Sequence, residues 1–248
     1  MQIIPLSEGA FTIDQTKEFV PFNKDTDDLQ SRSRGSLLVE IQPFLLITEK
    51  DIILLDSGLG FCGANDILQI HQNLLAHDIE PMQVTKVLMS HLHKDHAGGL
   101  VKFDKMLNRY FLSFPNATHY INKQELELAR KGDNPSYKPE KLEPLYNSDQ
   151  LVLLEEEGSI DNYIQYALTG AHSPNHLVFW IEEHGEKIFF GGDDAPQLKQ
   201  MKNKFIAKYD YDGKKTMELR QSWWQKGKEE DWTFLFYHDI QVPFAKNA

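Results

Sequence analysis

Ser90-His91-Leu92-His93-Lys94-Asp95-His96-Ala97-Gly98-Gly99 follows directly on the β-like run over residues 84–89, and it places four potential metal ligands within six positions. Side chains alternate along a strand with period two, so His91 and His93 at a strand end can project to the same side and share one ion. Asp95 and His96 stand where the chain turns toward a helix, and their side chains can reach a neighbouring position. Imidazole suits zinc and related ions, and a carboxylate adds charge neutralisation. A lone histidine near a strand end is ordinary polar surface. Three histidines and an aspartate in six residues, between a strand and a glycine pair, are not.

The chain has 248 residues, enough for one domain with a full core, and we expect a single domain over residues 1–248. Hydrophobic residues make up 41% and charged residues 25%, the usage of a folded soluble chain rather than a disordered one. Cys62 is the only cysteine, which excludes an internal disulfide and a zinc–thiolate cluster. No targeting stretch opens the sequence and no long apolar run follows, so the expected location is cytoplasmic with no membrane partner. The net charge of −11 argues against nucleic acid and leaves a small-molecule substrate as the expected partner.

Around the histidine stretch, short β-rich runs alternate with helical patterns. Strands are expected over 37–48, 51–55, 84–90, 118–121, 151–154, 163–168, 177–181, 187–190 and 232–237, with helices near 64–77, 95–107 and 125–131. Two β-rich halves, each with helices, predict an α+β fold of two sheets packed face to face with helices outside. Residues 23–34 have no apolar residue except Leu29 and read as a solvated loop, or as a lid over a pocket. The pair Trp223-Trp224, in an amphipathic helix with Met217 and Leu219, reads as core, with a homodimer interface as the alternative.

The pattern His-x-His-x-Asp-His after a strand resembles the signature of the metallo-β-lactamase superfamily, and the rest of the chain extends the likeness. Asp56 closes Ile52-Ile53-Leu54-Leu55-Asp56, His172 sits in Ala171-His172-Ser173-Pro174-Asn175-His176, Asp193 follows Ile188-Phe189-Phe190-Gly191-Gly192, and His238 follows Phe234-Leu235-Phe236-Tyr237. The resemblance implies a four-layer αββα sandwich of two mixed sheets. It implies that His91, His93 and His172 hold one metal, that Asp95, His96 and His238 hold the other, and that Asp193 bridges them. Asp56 then orients a ligand or its loop, or is an ordinary turn aspartate. His176 is read as structural, and Asp194 as a solvated or supporting neighbour of the bridge. Ala171 and Asn175 replace the glycines usual in the ligand turn.

Two divalent ions, zinc by expectation with iron or manganese as alternatives, can share a water and lower its pKa toward neutrality. The same ions hold a developing oxyanion, so no serine or cysteine nucleophile is needed. Asp95 is the candidate for carrying a proton to the leaving group, and Tyr237 is either a donor to substrate or core. The favoured substrate is a carboxylic ester or lactone, as in lactonase-like relatives. Pro196 stands where quorum-signal lactonases have a tyrosine. The alternatives are a phosphodiesterase or nuclease of the same superfamily, which predicts a basic rim, and a mononuclear-iron sulfur dioxygenase, which needs fewer ligands.

Overall fold

A computed structural model describes residues 1–63 and 66–246. One six-stranded mixed sheet runs in the order Gln2–Pro5, Phe44–Ile47, Ile52–Leu55, Lys86–Leu88, Thr118–Asn122 and Leu151–Leu154. A second runs Glu157–Ile160, Ile164–Leu168, Leu177–Glu183, Glu186–Phe190, Thr233–Leu235 and Phe244–Lys246. Strand periodicity decides which residues fill which layer. Phe44, Leu46, Ile53, Leu55 and Leu88 face Phe179, Ile181, Ile188, Phe190 and Leu235 of the opposite sheet. The alternate residues Leu45, Leu54 and Val87 turn outward onto Ile70, Leu74, Leu126 and Ala129, from the helices Gln69–Leu75 and Lys123–Lys131. Val178, Phe189 and Phe234 turn the other way onto Trp223 of the helix Gly213–Glu229. The result is the expected αββα sandwich, in which each fully buried Leu, Ile or Phe contributes roughly 1.5–3 kcal/mol.

Three expectations are corrected. Residues 37–48 form two strands, Leu37–Ile41 and Phe44–Ile47, in different sheets. Pro43, which has no N–H to give a ladder, lies at the break. The first of the two belongs to a three-stranded sheet with Gly9–Ile13 and Phe19–Phe22, which periodicity did not reveal. The helix expected over 95–107 lasts one turn, Lys94–Ala97, passes through a 3-10 turn Gly98–Leu100 and becomes a hairpin of Val101–Asp104 with Arg109–Leu112. The helix expected over 64–77 spans Gln69–Leu75; Ala64 and Asn65 lie outside the described residues. No helix among the described residues is long and apolar enough to cross a membrane.

The glycine pair ends the helical turn because the loop after Ile52–Leu55 passes in backbone contact with it. Side chains on Gly98 or Gly99 would be driven into the carbonyls of Leu59 and Ser57, and one on Gly60 into that of Gly98. Ser57 locks the two segments together, its N–H and hydroxyl both donating to the His96 carbonyl, at 2.7 and 2.8 Å. Glu8 supports the loop from outside by accepting from the Leu59 N–H at 2.7 Å. Although Glu8 as a whole is only partly buried, its Oε1 is enclosed without a partner. Burial, outweighing the Leu59 N–H and Lys141, pushes its carboxyl up to about 7.

Gly60 (φ +72°) and Gly35 (φ +81°) both have left-handed backbone, but only Gly60 is crowded. Gly35→Ala should therefore cost about 1–2 kcal/mol, and Gly60→Ala about 3 kcal/mol or more once overpacking is added; equal losses in chemical denaturation would contradict the close approach. For Glu8 the folded state holds a proton that the unfolded chain releases near its ordinary value of 4.5. Its contribution is full below that pH and is lost as pH rises to about 7. Glu8→Gln should match wild type near pH 4 and gain about 3 kcal/mol on it by pH 8, at 1.36 kcal/mol per pH unit; parallel stability curves would refute the enclosed carboxyl.

Candidate metal centre

Every sequence-predicted ligand arrives at the same edge of the sandwich, each from the end of a strand or the turn beyond it. Ser90, next after the Lys86–Leu88 strand and Met89, is fastened by Asp56, whose Oδ1 accepts the Ser90 N–H at 2.7 Å and whose Oδ2 accepts its hydroxyl at 2.6 Å. That fixes where His91 leaves the sheet. The ligand atoms of His91, His93, His172 and Asp193 lie within 4.8 Å of one another, and those of Asp95, His96 and His238 form a second such group. Asp193 stands between them. Its Oδ2 lies 3.2 Å from His172 Nε2 and 4.0 Å from His91 Nε2, while its Oδ1 lies 3.1 Å from His96 Nε2 and 2.9 Å from His238 Nε2. Asp95 Oδ2 lies 3.7 Å from His96 Nε2 and 3.6 Å from His238 Nε2.

On His96, His238 and His172 the far ring nitrogen is occupied, which fixes the orientation of those three imidazoles. His96 Nδ1 meets Asp56 Oδ2 at 2.7 Å, His238 Nδ1 meets the Glu40 carbonyl at 2.7 Å, and His172 Nδ1 meets Asp210 Oδ1 at 2.9 Å. Asp56 thus touches a ligand directly, with a left-handed backbone (φ +56°) that aims it there. Asp194 is not solvated but fully buried. It accepts the His172 N–H at 2.7 Å, bonds Thr169, and sits 3.1 Å from His176 Nδ1. His176, read as structural, in turn accepts the Asp193 N–H at 3.2 Å. Tyr237 is core: its hydroxyl donates to the Asp95 carbonyl at 2.7 Å and its ring stacks on His96 at 4.0 Å.

Sequence reasoning missed Asp210, Arg220, Glu125 and Tyr209. Arg220 is fully buried, donates through Nε to the Asp194 carbonyl at 2.6 Å and lies 3.6 Å from Asp210 Oδ2. Its signal was available: Thr216, Arg220, Trp223 and Gly227 mark the buried stripe of the helix Gly213–Glu229 at helical spacing, with a cation on it. Glu125 accepts the Leu92 N–H and the Tyr137 hydroxyl, both at 3.0 Å, and so braces the segment between His91 and His93. Tyr209 lines the cleft with its ring 6.1 Å from that of His172, and burial pushes its phenol up to about 12. Trp223 is buried as expected, and Trp224 packs on Phe234 at 5.1 Å.

Electrostatics divide the imidazoles into two kinds. Burial, reinforced by neighbouring imidazoles, holds His91 and His93 well below the usual range, in the neutral ligand form. Burial acts the same way on His96, but the Asp193, Asp95 and Asp56 carboxylates outweigh it and lift that ring. Asp193 is pushed up by burial and held far down by His238, His96 and His172. His96 Nε2 and Asp193 Oδ1 are both buried and lie 3.1 Å apart, as charges in contact, but neither has an aligned hydrogen bond. Orphaned donor atoms of this kind, converging from two sides, fit cations placed among them. The group opens into a cleft of about 1260 Å³. Of residues 23–34 only Arg32 lines it.

The metallo-β-lactamase superfamily model matches residues 39–238. Among solved structures, a probable metal-dependent hydrolase from Staphylococcus aureus superposes with a TM-score of 0.79 at 22% identity, covering 100% of this chain and 92% of its own. A dizinc quorum-quenching lactonase in complex with an N-hexanoyl-L-homoserine product gives 0.72 at 17% identity, covering 98% and 89%. A hydrolase of the β-lactamase superfamily gives 0.74 at 22%, again covering 98% and 89%. A search of curated proteins returns no match. With the family match running over most of the chain and ending on His238, the protein belongs to the metallo-β-lactamase superfamily.

Proposed function

We propose that the protein is a dinuclear-metal hydrolase, with zinc as the metal, acting on a carboxylic ester or lactone. The observation that carries this reading is the division of Asp193, one oxygen turned to each donor group. His91, His93 and His172 would hold one ion, Asp95, His96 and His238 the other, and Asp193 would bridge them. Three side chains beside the bridge are a full complement for each ion of a site that keeps a position open. A mononuclear iron site would leave Asp95, His96 and His238 without a purpose. Two cations bound there would supply an activated water and a sink for a developing oxyanion.

The chain's own residues then have distinct tasks. Asp56, Asp210 and the Glu40 carbonyl keep three rings aimed inward, so that the donors need no reorganisation. Asp95 both faces the second donor group and lines the cleft, which suits it to carry a proton to the leaving group. The neutral Tyr209 phenol beside His172 can donate to substrate. A phosphodiester is the second reading, favoured by Lys17, Arg32, Lys94, Lys131 and Lys208 around the cleft.

Elemental analysis of protein purified without added metal should find about two zinc ions per chain, as expected for a two-metal site, falling in His91→Ala and in Asp193→Ala. About one iron per chain would favour the dioxygenase, and no specific metal would end the proposal. A panel of esters, lactones and phosphodiesters then separates the two hydrolytic readings. Asp210→Asn should weaken metal binding about 10–100-fold in a chelator competition; unchanged affinity would mean that Asp210 does not hold His172 in place.

A further inference from the structure

The cleft carries a charge opposite to that of the whole molecule. The chain has a net charge of −11, yet Lys17, Arg32, Lys94, Lys131 and Lys208 all line this one cavity. Apart from Asp95 and Asp193 in the donor groups, the acidic residues among the described lining are Asp14 and Asp133, and Glu18 acts on Lys94 from nearby. Some lysines elsewhere are matched, Lys187 with Glu182 and Glu230, Lys214 with Glu218 and Lys246 with Asp231. Others, such as Lys50, Lys102 and Lys228, are unpaired among the described residues too but scattered, so it is their gathering in one concavity that sets the five apart. Among the described residues, none of the five cleft cations forms an ion pair with a carboxylate. Gathering unpaired cations in one concavity focuses a positive field there.

Apolar side chains share the same walls. Leu37 and Phe205 are each 42% exposed and Ile206 56%, all three lining the cleft. Lys94 Nζ lies 5.9 Å over the Phe19 ring, which puts a cation directly against that apolar wall. Such a surface fits neither a fully polar anion nor a neutral lipid.

We infer that the substrate is an amphiphilic anion: an apolar chain bearing a carboxylate or phosphate separate from the bond that is cleaved, the charge being held by the cleft cations. This rests on the hydrolase reading and narrows it. Rim charges act on encounter and binding, so the effect belongs in KM and in salt dependence more than in kcat.

The test compares two aryl esters of the metal-loaded protein's own reaction class, 4-nitrophenyl butyrate and mono-4-nitrophenyl glutarate, which differ chiefly in one charge. Calorimetric binding of octanoate, octyl phosphate and octanol accompanies it. The anionic ester should be preferred in kcat/KM through a lower KM, with the preference shrinking as salt rises. Reversing Lys17, Arg32 and Lys208 to Glu should reduce it by roughly two- to five-fold per charge. Lys214→Glu, on the outer helix, should leave it unchanged, and thermal melts check that all variants fold. Octanoate against octyl phosphate decides which anion is held. A preference for the neutral ester, or an anion preference indifferent to the three reversals, overturns the inference. If neither ester is cleaved but anion binding still falls on reversal, the anion site stands and the ester hydrolase reading fails.

Discussion

Asp193 is a largely buried carboxylate set among His91, His96, His172 and His238. Burying so many ionisable groups together is expensive unless each is paired or binds a cation. The surrounding structure is organised around that cost. Arg220 crosses from the outer helix to hold the Asp194 carbonyl, Asp194 holds the His172 backbone, and Asp56 holds Ser90 and His96 from beneath. Most of these contacts join residues far apart in sequence, so the centre assembles only when both sheets are in place.

The sandwich accounts for how that happens. Strand ends from both sheets converge on one edge, with the inter-sheet core of Phe44, Phe179 and Phe190 beneath them. The Ser57–Leu59 loop and the Gly98-Gly99 pair pack backbone to backbone, which leaves the His91–His96 turn little freedom to move. Preorganised donors of this kind are what a site needs if charge is to be stabilised without rearrangement. Further out, lysines and apolar side chains line the same cleft.

Legibility in the sequence followed the range of the forces involved. His91, His93, Asp95 and His96 were readable because four ligands in six residues is a dense local pattern, and alternation gave the strands on both sides of the inter-sheet core. The helix expected after Asp95 failed because Gly98-Gly99 answers to a loop forty residues earlier, which no local periodicity encodes. Asp194 could be read as solvated or as supporting the bridge, and the choice was open because nothing nearby announces Arg220, Thr169 or His176 as its surroundings. Asp210 was invisible in Tyr209-Asp210-Tyr211-Asp212, where its neighbours suggest surface. The positive cleft was hidden by the negative total, because Lys17, Arg32, Lys94, Lys131 and Lys208 meet only through the fold.

The most direct test is anomalous X-ray diffraction from crystals of the metal-loaded protein, collected on both sides of the zinc edge. Two zinc peaks are expected, one among His91, His93 and His172 and one among Asp95, His96 and His238, with Asp193 reaching both. A single peak, or ions bound instead at the exposed Glu49, Glu183 and His184 group, would contradict the two-metal centre.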